Sequence, residues 1–347
     1  MLKPVLWLAL VVLTLPRPAM AETRVEAMRA AVETIRAEAN IPAMGLGVID
    51  DGEVVFLGGF GEVDGRAATE HDRFRAASIS KLLTGQAVMQ LVQAGKLRLD
   101  DDVGRWLPAL SGRGLTIRHL LSHRSGLRDL VFPLETDDPA RQEGYLKLLA
   151  ALPAGKPGAA YAYTDADFNV LGLVVAQVSG EPFEAYVQGR ILDPVGLPDS
   201  AMFPAPAARA GMAQPFLNKP AVRPATPRPF DIAFAPSEGL VTSAADLTRW
   251  TLATLMQDRR LLRRDAHAAM LATQGQAGGP GRRIGLAWML REPEPGRPIA
   301  EHAGSVRGYN ALVLTYPRQK RAVVILTNAD DAPRWEIAAA VDRVLGP

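Results

Sequence analysis

The sequence predicts an α+β fold: an antiparallel sheet built from both ends of the chain, flanked by helices, with an all-helical region inserted over roughly 80–240. Two observations predict this arrangement. Apolar runs typical of strands occur near both ends of the chain, and the middle shows apolar residues at helical spacing. The 347 residues, 48% of them hydrophobic, are enough to bury a large core.

The N-terminal part of the chain predicts one helix followed by a strand hairpin. Apolar residues recur at helical spacing between 22 and 39. Strands are predicted over 45–50 and 53–59, and the dipeptide Asp51-Gly52 between them favours a tight hairpin turn. The chain therefore opens helix, strand, strand.

The C-terminal part repeats this pattern in reverse, with strands over 311–316 and 321–327 and a helix over about 335–345. Helices in the middle of the chain are predicted over 78–94, 116–121, 143–151, 166–179, 182–190 and 244–257. The stretch 204–236 contains eight prolines and little periodicity. Two interpretations stay open for it: a long wrap that borders the active site, or a plain surface excursion.

Residues 1–21 have the pattern of a secretory signal. A basic residue near the start is followed by an apolar run over 5–15 and a small-residue cleavage site at 19–21. The run has about half the length that a membrane-spanning helix needs. We expect an exported bacterial protein, periplasmic or secreted, with a single domain over 22–347 and no stable membrane span after cleavage. A short membrane anchor is the alternative.

Charge and composition exclude several classes of function. A formal net charge of +2 gives no general reason to bind nucleic acid. The chain has no cysteine, which excludes disulfides, a thiolate nucleophile and a cysteine–zinc site. His119 and His123 have a spacing that can chelate zinc on a helix, but neither lies beside a glutamate. We therefore expect no metal and no organic cofactor.

The first candidate catalytic residues are Ser78 and Lys81, at the start of the helix predicted over 78–94. Positions three apart share a helix face, so the hydroxyl and the amine point into the same space. Burial of the lysine favours its neutral form, which can accept the hydroxyl proton. The spacing alone is a weak signal, because a capping serine and a surface lysine produce the same pattern.

Two motifs further along the chain strengthen this interpretation. Residues 157–172 contain Tyr-Ala-Tyr-Thr-Asp between a Pro-Gly and a Leu-Gly, and residues 302–309 read His-Ala-Gly-Ser-Val-Arg-Gly-Tyr. Together with Ser-x-x-Lys, they resemble the three motifs of the serine β-lactamase and penicillin-binding-protein superfamily. The resemblance is closest to its class C β-lactamase-like DD-peptidase/esterase branch and covers nearly all of 22–347. It implies a β-lactamase/transpeptidase-like fold with the active site between the sheet and the helical region.

The resemblance also implies roles for individual residues. Ser78 resembles the acylated nucleophile, Lys81 its proton partner, and Tyr163 the general base, with Tyr161 as the competing candidate. Asp165 stands where the family commonly has asparagine. An anion at this position would hold Lys81 charged and repel an anionic substrate.

The third motif departs from the family pattern. His302 and Gly304 occupy the place of a Lys-Thr-Gly strand, and the loss of the lysine argues against an efficient β-lactamase. By resemblance, the backbone N–H groups of Ser305 and Ser78 would form the oxyanion hole. Arg307 has two open interpretations: a replacement cation that binds a substrate carboxylate, or an exposed surface arginine.

The expected function is hydrolysis of an amide or ester carbonyl, in a D-amino-acid peptide or ester, through a Ser78 acyl-enzyme. A β-lactamase that hydrolyses β-lactam amides is the first alternative. A catalytically weak homologue that binds cell-wall peptides is the second. The expected partner is a small-molecule or peptide substrate, such as a peptidoglycan-derived peptide or a β-lactam.

Overall fold

The computed structural model describes residues 17–130, 136–203, 205, 210–226 and 228–346, with side chains from Glu22 onward. The predicted signal segment 1–21 lies outside the described residues, except for the backbone of 17–21, which begins the first helix.

The α-helices of the described residues carry the labels α1 to α11 in chain order. They are α1 (Arg17–Glu38), α2 (Ser80–Gln93), α3 (Ile117–Leu121), α4 (Ala140–Ala151), α5 (Asp165–Ser179), α6 (Phe183–Val187), α7 (Asp193–Val195), α8 (Ala235–Glu238), α9 (Ala244–Leu255), α10 (Arg264–Leu271) and α11 (Arg334–Leu345). Short 3₁₀ turns and one π turn add Ala77–Ile79, Val103–Arg105, Pro108–Leu110, Ile232–Phe234 and Gln188–Leu192.

The strands of the same residues carry the labels β1 to β14. They are β1 (Ala43–Asp50), β2 (Glu53–Val63), β3 (Arg66–Ala67), β4 (Arg73–Arg75), β5 (Ala201–Met202), β6 (Phe216–Leu217), β7 (Arg223–Pro224), β8 (Leu240–Ser243), β9 (Gly275–Gln276), β10 (Arg282–Ile284), β11 (Met289–Arg291), β12 (Ile299–Val306), β13 (Tyr309–Tyr316) and β14 (Arg321–Thr327).

In the described part of the chain, nine strands form one antiparallel sheet in the order β3-β2-β1-β14-β13-β12-β11-β10-β9. Strand β1 pairs along β14, with Met44 opposite Thr327, so the two ends of the fold meet at the centre of the sheet. Between β1 and β2, Asp51 and Gly52 have φ of 50° and 79°. Positive φ at both turn positions suits a tight hairpin, and the predicted hairpin is confirmed.

Both faces of the sheet are buried, which explains the continuous apolar runs of its central strands. Along β14, Val323 and Ile325 belong to the core that also holds α1 and α11. Val324 and Leu326 point the other way, into the larger core shared with the inserted helices. The predicted antiparallel sheet flanked by helices is therefore confirmed.

The inserted region places α2 at the centre of the second layer, in contact with α5 and α8. This region is not entirely helical, because it contains the short strands β5, β6 and β7. The edge strands β9 to β11 and helix α10 lack a corresponding prediction. Strand β10 begins with two exposed arginines, so its sequence has no alternating apolar pattern.

The proline-rich stretch 204–236, of which 204, 206–209 and 227 lie outside the described residues, is bound to the sheet. The hydroxyl of Tyr309 donates to the carbonyl of Ala213 at 2.6 Å, and the backbone N–H of Phe216 donates to the carbonyl of Asn328 at 2.9 Å. Its described part therefore wraps the end of the sheet beside β13. Of the helices in the described ranges, none is long and apolar enough to cross a membrane.

Candidate active site

Ser78 lies in the 3₁₀ turn Ala77–Ile79, directly before α2, and its side chain is half-buried. The preceding residue, Ala77, has a φ of 48°, in the left-handed region that non-glycine residues rarely adopt. Such a conformation costs on the order of 1–3 kcal/mol and is typical of functional turns. The strained turn places Ser78 directly before the N-terminus of α2.

Lys81 is completely buried one turn further along, and its ammonium has three hydrogen-bond acceptors. Its Nζ donates to Ser78 Oγ at 2.9 Å, to Asp165 Oδ1 at 2.6 Å and to the carbonyl of Ser237 at 3.1 Å. An ammonium has three N–H donors, and each of them finds a partner here. The Ser-x-x-Lys spacing thus brings the two side chains into contact, as the helix geometry predicted.

The expectation of a neutral Lys81 amine is wrong. Burial by itself would lower the pKa of Lys81, but the neighbouring Tyr163 and Asp165 outweigh burial and raise the pKa above its ordinary value of 10.5. Lys81 is therefore a cation at neutral pH, and it donates a hydrogen bond to Ser78. The anion at 165 holds the lysine charged, which is the effect that the sequence analysis attached to Asp165.

Helix α5 positions Asp165 at its first residue. The Thr164 side chain caps the helix by accepting from the backbone N–H of Ala166 at 3.2 Å. Asp129 reinforces this start, because its Oδ1 accepts from the same N–H at 3.1 Å and also from the Thr164 hydroxyl. The sequence analysis missed Asp129, which lies 36 positions before Asp165 and belongs to none of the three motifs.

Tyr163 lies above the lysine, with Lys81 Nζ 5.0 Å from its ring centroid and 41% of the residue exposed. Its ring is flanked by two buried histidines, with centroid distances of 4.4 Å to His123 and 6.2 Å to His302. The competing candidate, Tyr161, donates instead to the sulfur of Met289, and burial raises its pKa to about 12. The contacts therefore favour Tyr163 as the tyrosine of the site.

His123 and Asp167 form a buried pair that the sequence analysis did not identify as part of the site. Their Nδ1 and Oδ2 are 3.1 Å apart, and the backbone N–H of Thr164 also donates to the same nitrogen at 3.4 Å. Burial lowers the pKa of His123, helped by nearby Lys81, and burial raises the pKa of Asp167. Both shifts favour the neutral form of the group concerned, because the charged form loses its hydration on burial.

Both histidines whose spacing could chelate zinc have a hydrogen-bond partner at Nδ1. His119 Nδ1 accepts from the backbone N–H of Thr116 at 3.3 Å in a capping box, and His123 is paired with Asp167. Within the described ranges, no group of three or more histidine, aspartate and glutamate side chains has an arrangement that could hold a metal ion.

Strand β12 runs directly against the turn that carries Ser78. A Cβ added to Gly304 would lie 2.2 Å from the carbonyl oxygen of Ala76 and 3.2 Å from the backbone nitrogen of Ser78. Glycine at this position therefore allows the strand to approach the serine. The next residue, Ser305, has an exposed side chain whose Oγ donates to Asn310 Oδ1 at 3.1 Å.

The two remaining predicted residues contribute no cation that contacts Ser78. His302 is buried, and its Nδ1 lies 2.9 Å from the carbonyl oxygen of Ala303. Burial, together with the charge of Lys81, lowers the pKa of His302 to about 3, so the ring is neutral at physiological pH. Arg307 is exposed in the turn after β12, and it forms no hydrogen bond or ion pair with the part of the chain that the structure describes.

Arg334, at the start of α11, is a further residue of this region that the sequence analysis missed. Its Nη2 donates to Ser305 Oγ at 2.9 Å, and its Nη1 donates to the carbonyl of Gly304 and to Asn310 Oδ1. Arg334 therefore fixes the end of β12 beside Ser78. No motif marks it, because it lies on a different element about 30 residues away.

Comparisons with known proteins identify the family of the chain. The beta-lactamase family model matches residues 28–345. The chain is 26% identical over 291 residues to the D-alanyl-D-alanine-carboxypeptidase/endopeptidase AmpH of Escherichia coli K12, which covers 76% of this chain and 72% of AmpH. It is 28% identical over 160 residues to the putative penicillin-binding protein PbpX of Bacillus subtilis, covering 45% of this chain and 40% of PbpX.

A solved structure has the same fold over most of this chain. The octameric penicillin-binding protein homologue from Pyrococcus abyssi superposes with a TM-score of 0.82 at 25% identity, covering 93% of this chain and 77% of that one. The predicted β-lactamase/transpeptidase-like fold is confirmed. The chain belongs to the beta-lactamase family.

Proposed function

We propose that this protein is an exported serine hydrolase that cleaves an amide or ester carbonyl through an acyl-enzyme on Ser78. The observation that carries the proposal is the contact between the Lys81 ammonium and Ser78 Oγ, 2.9 Å apart, in a strained turn against β12. A buried cation aimed at a serine oxygen stabilises that oxygen as it loses its proton.

The charge of Lys81 determines how the proton moves. A lysine that already carries three protons cannot accept the Ser78 proton, so we assign that role to Tyr163, whose ring centroid lies 5.0 Å from Lys81 Nζ. In this step Tyr163 acts as a phenolate beside the Lys81 ammonium: Ser78 Oγ bonds to the carbonyl carbon, and the phenolate oxygen takes the Ser78 proton. The resulting phenol gives this proton to the leaving group as the bond between the carbonyl carbon and the leaving group breaks. The backbone N–H groups of Ser78 and Ser305 stabilise the oxyanion, and water then releases the acyl group.

A D-amino-acid peptide or ester is the proposed substrate, ahead of a β-lactam. Two features of the site support this order. His302 is neutral where a β-lactamase-like motif has lysine, and Asp165 cancels the charge of Lys81 at 2.6 Å. The resemblance to AmpH, a carboxypeptidase/endopeptidase, points in the same direction. The pattern of residues 1–21 supports export, with 22–347 as the catalytic domain.

Mass spectrometry of the intact protein tests the proposal. We expect one fluorophosphonate adduct on Glu22–Pro347, lost in Ser78→Ala and kept in the control Ser111→Ala. Ser111 is exposed, and its hydroxyl donates to the carbonyl of Gly104 at 3.3 Å. Incubation with a penicillin separates the substrate classes. A persistent penicillin adduct supports a peptidase-like enzyme, rapid turnover supports a β-lactamase, and no adduct with penicillin supports an esterase-like pocket.

The second candidate, a catalytically weak homologue that binds cell-wall peptides, makes the opposite prediction. It requires that Ser78 remain unmodified by the fluorophosphonate while the folded protein still binds peptide. Absence of any adduct on the wild-type chain would overturn the proposed activity.

A further inference from the structure

Tyr163 lies in the segment 160–164, which belongs to no helix or strand, and 41% of the residue is exposed. The role that we assign to it requires a well-defined position, because a misplacement of about 1 Å can cost roughly a hundredfold in rate. Such a segment has no regular backbone pairing to hold a side chain in place. The contacts that fix Tyr163 therefore come from another part of the chain.

His123, two residues after the end of α3, holds the backbone on both sides of Tyr163. The His123 carbonyl accepts from the N–H of Ala162 at 2.8 Å, and His123 Nδ1 accepts from the N–H of Thr164 at 3.4 Å. His123 has a φ of 52°, in the left-handed region. A non-glycine residue in that conformation costs on the order of 1–3 kcal/mol and is typical of functional sites. The two peptide groups that flank Tyr163 thus both bind to one strained histidine.

The His123 ring also supports the Tyr163 ring. The two ring centroids are 4.4 Å apart, with an angle of 36° between the ring planes, and His123 is completely buried. Phe168 and Tyr161 pack against the same imidazole, with centroids at 5.1 and 6.0 Å. A ring packed this closely has little freedom to change its rotamer. Tyr163 therefore rests on a fixed surface, with its centroid 5.0 Å from Lys81 Nζ.

Asp167 fixes the imidazole in turn. Asp167 Oδ2 lies 3.1 Å from His123 Nδ1, and both side chains are completely buried. Asp167 belongs to the first turn of α5, the helix that begins with Asp165. The pair therefore connects Tyr163 to the helix that carries the partner of Lys81.

We propose that His123 is a positioning residue for the reaction, which holds the Tyr163 phenol beside Lys81. Asp167 holds His123 in this position. The inference rests on the proposed function, because that function assigns the Ser78 proton to Tyr163. His123 moves no proton in this assignment, and it acts on the reaction only through Tyr163. A histidine with a purely structural role would affect stability and leave the reaction of the folded protein unchanged.

The test measures the rate at which a fluorophosphonate labels Ser78, as a function of probe concentration. This dependence separates the limiting first-order rate from the half-saturating concentration, as kcat is separated from KM. His123→Phe keeps an aromatic ring but loses Nδ1, and we expect its limiting rate to fall roughly 10²-fold. Its half-saturating concentration should stay within about twofold, since His123 is assigned no contact with the probe.

His123→Asn is the conservative variant. Its amide oxygen can replace Nδ1 as the acceptor for the Thr164 N–H, and asparagine tolerates the left-handed conformation. We expect this variant to keep about a tenth of the wild-type limiting rate, about tenfold more than His123→Phe. Urea unfolding identifies the variants that are folded. A folded His123→Asn that is no faster than a folded His123→Phe would contradict the role of Nδ1 and overturn the inference.

A double-mutant cycle with Tyr163→Phe tests whether His123 acts through Tyr163. Because this variant lacks the phenol oxygen, adding His123→Phe should change its limiting rate by less than about twofold. Losses that multiply in the double variant would show an action independent of Tyr163, and the inference would be wrong. If His123→Phe does not fold, the same cycle with His123→Asn decides.

His267→Phe is the matched control, a change of a buried histidine on α10. His267 lines a separate cavity together with Thr254, Met270 and Trp288. This variant should label at the wild-type rate. A loss as large as that of His123→Phe would be a general effect of replacing a buried histidine, and it would also overturn the inference.

Failure of the proposed function gives a different result. If the wild-type Ser78 is not labelled, the proposed function is wrong, and the inference falls with it. If Ser78 is labelled and Tyr163→Phe reacts at the wild-type rate, the nucleophile stands, but the roles of Tyr163 and His123 are both wrong. If Tyr163→Phe is slow and both His123 variants react at the wild-type rate, only the inference about His123 is wrong.

Discussion

The ion pair between Lys81 and Asp165 yields a quantitative prediction. At 2.6 Å and an effective dielectric constant of about 20, the Coulomb attraction is about 6 kcal/mol. Loss of one partner of a buried pair costs about 3–5 kcal/mol. The Asp165 side chain is 25% exposed, and Lys81 keeps its other two acceptors, so we expect a smaller net coupling of about 2–3 kcal/mol.

A double-mutant cycle measures this coupling. Urea unfolding of the wild type, Lys81→Met, Asp165→Asn and the double variant gives the interaction free energy directly. The pKa of Lys81 in the folded protein is raised above 10.5, so its contribution to stability is fully present below that pH and is lost as the pH rises through the folded value. The coupling should therefore be constant between pH 7 and pH 9.

The exposed pair Arg118–Asp100 is the control, since its atoms are 2.8 Å apart and Asp100 is 72% exposed. The same cycle with Arg118→Met and Asp100→Asn should give less than about 1 kcal/mol, reduced further in 1 M salt. A Lys81–Asp165 coupling that is equally small, or equally sensitive to salt, would refute the conclusion that Asp165 helps to hold the lysine charged.

Three further predictions concern the surroundings of Ser78. Gly304→Ala places a Cβ 2.2 Å from the carbonyl of Ala76 and should slow fluorophosphonate labelling roughly 10²-fold. The control Gly144→Ala, in open space on α4, should label at the wild-type rate. Equal labelling rates for the two variants would contradict the close approach of β12. The pKa of Asp167 is raised, so the wild-type protein loses stability as the pH rises above the ordinary pKa of an aspartate. The unfolding free energy of Asp167→Asn, measured relative to wild type in urea titrations, should therefore rise between pH 4 and pH 7. A decrease would show that the carboxylate is ionised. The pKa of His302 is about 3, so the pH profiles of labelling for wild type and His302→Gln should have the same shape from pH 5 to pH 8, and an inflection near 6.5 confined to the wild type would contradict this.

The central part of the fold was predictable because its signals are local. The hairpin at Asp51 and Gly52, the strands β13 and β14 and the helices α5 and α9 follow from turn chemistry and apolar spacing within about 15 residues. Strands β9 and β10 contain mostly exposed polar residues, and β11 is half-buried. Their position depends on pairing with β12, which a local pattern does not encode.

The candidate site divides in the same way. Helix geometry is enough to predict the contact between Ser78 and Lys81, since both lie within one turn. The charge of Lys81 depends on Tyr163 and on Asp165, which is 84 positions away. These residues come into contact only in the folded chain. The sequence analysis therefore predicted a neutral buried amine, whereas the assembled site makes Lys81 a cation.

The pairing of β1 with β14 determines when the sheet can be completed. Thr327, the partner of Met44, is synthesised roughly 280 residues later, on the order of 15–60 s at ~5–20 residues per second. Throughout that interval β1 presents an unpaired and strongly apolar edge to any other chain. A ribosome-bound chain of this protein therefore cannot close its core early, which favours chaperone binding during synthesis and makes truncations before β14 prone to aggregate.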